Sequence, residues 1–298
     1  MTYHRPVLLH ACIDGLNIKT GGTYIDATFG GGGHSLLILE KLKNGKLIAF
    51  DHDTDAEKNV PEDERILFIN QNFRYMKNFL KLYGLIPVDG ILADLGISSW
   101  QIDVAERGFS TRFEGPLDMR MDKQSKLSAK EVINDYSYDR LVEIFKLYGE
   151  LRIAHKIARE IEFVRKNEGF ETTEQLKNAL KKLAPRGKEN KFFAQVFQAL
   201  RIEVNNELDA LKEFLNQSVE VLKPGGRLVV VSYHSLEDRL VKNFIKAGNF
   251  EGELEKDFFG NIIAPLQAVE KFIIPDKDEM HENPRSRSAK LRIAEKTA

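Results

Sequence analysis

Four consecutive glycines at positions 30–33 sit inside DATFGGGGHS, residues 26–35. The apolar pair Tyr24-Ile25 leads into them, and the helix-like run LLILEKL follows His34 and Ser35. Glycine lets the main chain take positive φ and come within contact of a ligand that a Cβ would hold away. A strand, a glycine loop and a helix in succession therefore describe a backbone-lined binding loop at the first turn of an α/β sheet. A plain turn needs only one or two glycines. Four in a row favour the binding loop over a flexible turn.

The rest of the chain agrees with that opening. Its first hundred residues alternate short β-like runs with amphipathic stretches, as a parallel sheet with crossover helices requires. The candidate strands are residues 23–27, 46–50, 66–69 and 90–93. After about Asp103 the pattern turns helical, over 127–134, 140–148, 151–167 and 173–183. In the third of these, Leu151, Ala154, Ile157, Ala158, Ile161 and Val164 recur at helical spacing. A further helix, with Leu208, Leu211, Leu215, Val219 and Leu222 on one face, is expected to close at Pro224 and Gly225. Strands resume at 226–232, 268–274 and 290–294. The simplest arrangement is one α/β domain, residues 1–103 and 207–298, interrupted by a helical insertion at 104–206.

Bulk properties exclude some classes. At 42% hydrophobic and 30% charged over 298 residues, the composition is that of a soluble globular protein. The longest apolar runs fall far short of the roughly 18 residues that cross a bilayer. The opening MTYHRPVLLHACIDGL lacks the features of a secretory signal, so a cytoplasmic protein is expected. One cysteine, Cys12, can form neither an intrachain disulfide nor a cysteine-rich metal site. The seven histidines are scattered, and no metal is expected. Lys and Arg total 44 against 45 acids, so any nucleic-acid binding must use local patches such as residues 177–191 and 284–296.

Strand two ends at Asp51, 21 positions after Gly30. An acid there stands at the tip of the neighbouring strand and can accept both ribose hydroxyls of an adenosine ligand, in a dinucleotide or in S-adenosylmethionine. Ser35 occupies the place of the third glycine of the dinucleotide pattern, which counts against NAD. Asp94 closes the fourth strand, at the rim where ligands bind. It would hold a methionyl ammonium, accept a proton from a substrate amine, or cap the next turn. Phe73, after strand three, either covers an adenine face or belongs to the core.

FGGGGHS, ILADLGISSWQ, ERGFS, GPLDMRMD, FQALRIEVNNEL, SYHSLEDR and NPRSRSAKLR follow one another along the chain. In this order they resemble the bacterial 16S ribosomal RNA cytosine-N4 methyltransferases, the small-subunit methyltransferase H family, from about His4 to Lys296. The resemblance implies a class I, Rossmann-like methyltransferase fold: a mostly parallel seven-stranded sheet with a C-terminal antiparallel hairpin. It implies S-adenosylmethionine as cofactor, contacted by Gly32, Gly33, His34, Asp51, Phe73, Asp94 and Gln101. It also implies methylation of the exocyclic N4 of a cytidine in the P-site region of 16S rRNA within the small subunit. A monomer and a homodimer are both compatible with it, and no membrane partner is implied. Trp100 stands where relatives often carry proline, and Gln195 where many carry arginine, which puts a phosphate contact at that position in doubt.

The chemistry is a single in-line displacement, so alignment and exclusion of water are the main tasks. Cytosine N4 is a poor nucleophile, and an acceptor on the amine would restore its reactivity. Asp94 is the first candidate, with Asp118 and His234 as partners. Asp118 alternatively pairs with Arg120 or Arg107, and His234 alternatively caps the helix that follows it. Two rivals share the loop: an NAD-linked oxidoreductase and a non-catalytic RNA-binding assembly factor. RNA contacts are expected from Arg152, Lys156, Arg159, Lys181, Lys182 and Arg186 in the insertion and from Arg285, Arg287 and Arg292 in the tail. Changing Arg285 and Arg287 to Glu is expected to weaken RNA binding in a filter assay while calorimetry shows unchanged cofactor affinity. Equal loss of both would reject this tail contact.

Overall fold

The computed structural model describes residues 6–297, so His4 lies outside it. Seven strands form one sheet: β1 (Thr23–Asp26), β2 (Lys46–Phe50), β3 (Ile66–Ile69), β4 (Val88–Asp94), β5 (Leu222–Ser232), β6 (Leu266–Ala268) and β7 (Lys290–Lys296). Their order is β3-β2-β1-β4-β5-β7-β6. The first five pair in parallel, whereas β7 runs antiparallel to both β5 and β6. This is the expected class I methyltransferase sheet. A dinucleotide-binding sheet continues in parallel past its fifth strand, where this one reverses.

Among the described residues twelve α-helices accompany the strands: α1 (Leu9–Leu16), α2 (Gly33–Lys41), α3 (Met76–Leu82), α4 (Ser99–Asp103), α5 (Ala129–Asp135), α6 (Tyr138–Leu147), α7 (Ala154–Arg165), α8 (Thr173–Leu180), α9 (Glu189–Asn205), α10 (Glu207–Val221), α11 (Ser235–Ala247) and α12 (Lys277–Glu282). None among the described residues is long and apolar enough to cross a membrane.

Successive strand side chains point to opposite faces. Ile25, Ile48, Ile91, Leu228 and Val230 join a core that includes Met76 and Leu80 of α3, Leu211, Phe214 and Leu215 of α10, and Val241 and Phe244 of α11. Their neighbours Tyr24, Leu47, Leu92, Val229 and Val231 join the opposite core with Cys12, Ile13 and Leu16 of α1 and Ile38 and Leu39 of α2. Helices on both faces explain why these strands are apolar almost throughout.

The described residues divide into two compact units: those up to Gly96 with those from Leu208 onward, and Ile97–Glu207. The second unit has its own core, in which α5 to α9 contribute Val132, Ile144, Phe145, Ile157, Leu176, Val196 and Leu200.

Two sequence expectations are corrected, and one helix is added. Of the strand expected at 268–274, only Ala268 belongs to β6, and Ile273 makes an isolated bridge to Leu291. Residues 267–272 are exposed at the sheet edge, so no buried face holds them in the ladder. Leu222 begins β5 instead of ending the preceding helix: it pairs with Val88, and the register shifts before Gly90 meets Arg227. Pro224 and Gly225 fall in that bulge, not at a helix stop. Finally, α9 was not anticipated. Phe192, Phe193, Val196, Phe197, Ala199, Leu200, Ile202 and Val204 bury it on more than one side, which blurs the amphipathic period.

Candidate active site

Because β1, β2, β4 and β5 are parallel, their carboxyl ends share one rim, which gathers Asp26, Asp51, Asp94 and the Tyr233-His234 pair. Asp26, which the motif reading passed over, is the loop's main fastening. It is buried, and it accepts the Ser35 hydroxyl at 2.7 Å and the Thr28 amide at 3.1 Å. Burial raises its carboxyl to about 6, against the pull of those two donors.

The glycine loop runs between these bonds. Gly30, at φ 51°, donates its amide to Asp51 Oδ2 at 2.7 Å, and Asn59 Nδ2 donates to its carbonyl at 3.0 Å. Gly32, at φ 77°, precedes α2, and a Cβ there would stand 2.9 Å from the Phe29 ring. An added Cβ at Gly33 would collide with the ring of Pro6, so this glycine is already explained by the protein's own packing.

Asp51 uses both oxygens on the main chain, Oδ2 for Gly30 and Oδ1 for the Asp53 amide at 2.8 Å. Each oxygen keeps a second lone pair for a ribose hydroxyl. Burial raises the Asp51 carboxyl. Phe73 is half-buried and meets Phe214 edge-on, with ring centroids 5.2 Å apart, which places it at the margin of the core.

Asp94 is the focus of the rim. Its amide donates to Thr28 Oγ1 at 2.7 Å, and its Oδ1 accepts the Tyr233 hydroxyl at 2.8 Å. The side chain keeps 23% of its exposure, and His34 Nδ1 lies 4.0 Å from Oδ2. Burial pushes the carboxyl up to about 7; Asp26 and Glu237 add to this, and the Tyr233 bond opposes it. Burial lowers the His34 imidazole to about 4, so the ring is neutral at pH 7. Its Nε2 is buried without a hydrogen-bond partner among the described residues. The His34 ring, through Nδ1, and the partly exposed Asp94 carboxylate stand side by side and make a polar socket. With Asp26, Asp51, Asp53 and Asp94 around the loop, that socket suits a cationic ligand and repels a pyrophosphate.

His234 caps α11. Its Nδ1 accepts from the Glu237 amide at 3.3 Å, while Glu237 Oε2 takes the Tyr233 and His234 amides at 2.9 and 3.3 Å. The capping alternative therefore describes its geometry, and Nε2 is buried 3.2 Å from Glu237 Oε1.

Gln101 and Asp118 lie in the other unit. Gln101 is buried in the capping box of α4, its Oε1 accepting the Ser98 amide at 3.1 Å and its own amide bonding Ser98 Oγ at 3.2 Å. Asp118 is gripped by Arg120, whose Nε and Nη2 reach its two oxygens at 2.8 and 2.7 Å. Burial alone would raise the Asp118 carboxyl, but Arg120 and, more weakly, Arg107 hold it low. A carboxylate so paired is a poor proton acceptor, and the geometry favours the ion-pair alternative for Asp118. Gln195 donates to the Gly149 carbonyl at 2.9 Å and Gln198 to that of Tyr148 at 2.8 Å, so both fasten the end of α6. Arg292 is likewise engaged, its Nε 2.7 Å from Asp238, and no longer counts as a free phosphate contact.

The family described as the MraW methylase family matches residues 1–297. The chain is 57% identical over 297 residues to "Ribosomal RNA small subunit methyltransferase H" of Christiangramia forsetii, and equally to that of Flavobacterium johnsoniae, covering 99% of this chain and 98% of each relative. The protein of that name from Amoebophilus asiaticus is 55% identical over 300 residues, covering 100% and 97%.

With a value near 4 when unfolded and about 7 when folded, Asp94 binds more protons in the folded state between those pH values. It therefore favours folding at low pH, and that contribution is lost as pH rises toward 7. Urea unfolding should show Asp94→Asn equal to the parent near pH 4 and more stable by about 4 kcal/mol at pH 8. Tyr233→Phe should move the midpoint of the parent's pH dependence upward. A stability gap independent of pH would contradict the raised value.

Proposed function

The chain belongs to the MraW methylase family, and from that premise we propose that it methylates the exocyclic N4 of a cytidine in the P-site region of 16S rRNA, acting in the cytoplasm on the small subunit. S-adenosylmethionine supplies the methyl as an electrophilic carbon on a sulfonium. The observation that carries the reading is the carboxylate-lined loop beside Asp94, an arrangement for a ligand with positive charge at its reacting end.

The chain's own groups then divide the work. Asp51 serves the ribose from the tip of β2, while Gly32 and His34 keep the start of α2 close to the methionyl portion. The neutral His34 ring stands beside Asp94 through Nδ1. Tyr233 occupies Asp94 Oδ1 and so directs Oδ2 to an N–H donor. Two donors qualify, the methionyl ammonium and the target amine, and both require ionised Asp94. As the N4–methyl bond forms and the methyl–sulfur bond breaks, the amine must release one proton. Asp94, poised near neutrality, matches that acceptor in strength.

Calorimetric titration separates this reading from an oxidoreductase: S-adenosylmethionine is expected to bind and NADH to fail. If Asp94 holds the ammonium, affinity should drop about tenfold per pH unit below 7, and Asp94→Asn should remove that dependence. If Asp94 serves the target amine, the variant should bind cofactor normally and lose methyl transfer to small-subunit RNA. Tight NADH binding without S-adenosylmethionine binding would sink the proposal. Undiminished methylation by folded Asp94→Ala would take Asp94 out of the mechanism, and a folded parent that binds RNA without methylating it would be an assembly factor.

A further inference from the structure

Helix α7 presents two chemically distinct sides. Ala154, Ile157, Ala158 and Ile161 are buried in the core of the inserted unit. Lys156, Arg159, Phe163 and Lys166 are exposed, as is Arg152 just before the helix. At about 100° per residue, Lys156, Arg159, Phe163 and Lys166 fall within one narrow stripe, nearly opposite the buried face. Lys156 to Lys166 covers about 15 Å of helix.

Two acids border the stripe and both are engaged elsewhere. Glu160 pairs with Lys182 at 2.8 Å, and Glu162 stands 3.6 Å from Arg165. Arg152, Lys156, Arg159 and Lys166 make no ion pair among the described residues. Three uncompensated cations on one helix side, with Arg152 just before it, repel one another and favour an anionic polymer. Phe163 lies among them with 66% of its surface exposed. A hydrophobic protein interface would gather apolar neighbours around such a ring, yet its neighbours in the stripe are Arg159 and Lys166. An aromatic face bracketed by cations fits the stacking of a base whose phosphates the cations hold.

We propose that Arg152, Lys156, Arg159, Phe163 and Lys166 form a contact surface for single-stranded RNA, in which Phe163 stacks on an unpaired base. This rests on the RNA-methylating function above and adds the surface and the strand state. Stacking tolerates any base, so the stripe supplies affinity and orientation and leaves base choice to the catalytic rim. Lys182, occupied by Glu160, is excluded from it.

The test uses the full chain, a short single-stranded RNA of small-subunit sequence, a duplex RNA of equal length, and phosphatidylserine vesicles. Phe163→Ala should weaken single-strand binding about tenfold with an unchanged salt slope. Phe163→Tyr should bind like the parent, and Phe163→Leu should behave like the alanine variant. Lys156→Gln with Arg159→Gln should reduce the salt slope by about 1.4. Duplex binding should be insensitive to position 163. The proposal is overturned if Phe163→Ala or Phe163→Leu binds the single strand as the parent does, or if duplex binding falls equally. It is also overturned if the stripe variants lose vesicle binding and keep RNA binding. Methyl transfer by the parent separates the two levels: transfer with RNA binding indifferent to the stripe rejects only this surface, whereas no transfer rejects the function.

Discussion

The hydrogen bond from Ser35 to Asp26 sets the distance between the end of the first strand and the first turn of the following helix. Both partners are buried, with 0% and 1% of their surface exposed. A carboxylate removed from water is costly unless donors surround it, and the Ser35 hydroxyl and Thr28 amide are those donors. With the two ends held, the intervening glycines must take a short path, and Gly30 and Gly32 do so at positive φ. The same carboxylate also acts at a distance by raising the Asp94 carboxyl. One fastening thus shapes the loop and biases the charge state of the group opposite it.

That bias is the clearest physical argument about the ligand. The glycine loop and Asp51 by themselves suit any adenosine compound. The sheet narrows the choice, since β7 turns antiparallel between β5 and β6. The acid-rich rim narrows it again, because a sulfonium with an ammonium is attracted where a pyrophosphate is repelled.

Much of this was legible in the sequence, for definite reasons. Strands β2 and β3 have the predicted limits because they are short apolar runs bounded by polar residues, and the glycine loop announced its turn. The edge strand was overread because residues 268–274 look β-prone, yet sit where no second face covers them. Asp26 and Tyr233 escaped notice as site residues although both stand inside quoted motifs. Their importance lies in partners 9 and 139 positions away, brought together by the glycine loop and by the sheet respectively. Asp118 stayed open in the sequence for the converse reason: Arg120, two positions on, pairs with it, and the choice between ion pair and catalyst depends on side-chain geometry. Gln195 likewise reads as a lost charge in sequence and as a tie to the end of α6 in the structure.

The spacing between Asp94 and Tyr233 bears on the order in which a ribosome releases this chain. The glycine loop, Asp26, Asp51 and Asp94 all emerge before the contiguous unit Ile97–Glu207. That unit carries a complete core of its own and so can fold while the rest is still being made. During that interval β4 has an open edge and Asp94 has no phenol beside it. Only when β5 is added does the edge close and the carboxylate gain its directing bond. The nascent chain therefore carries its most recognisable loop long before it can hold a ligand properly, and competence arrives with a strand far from that loop in sequence.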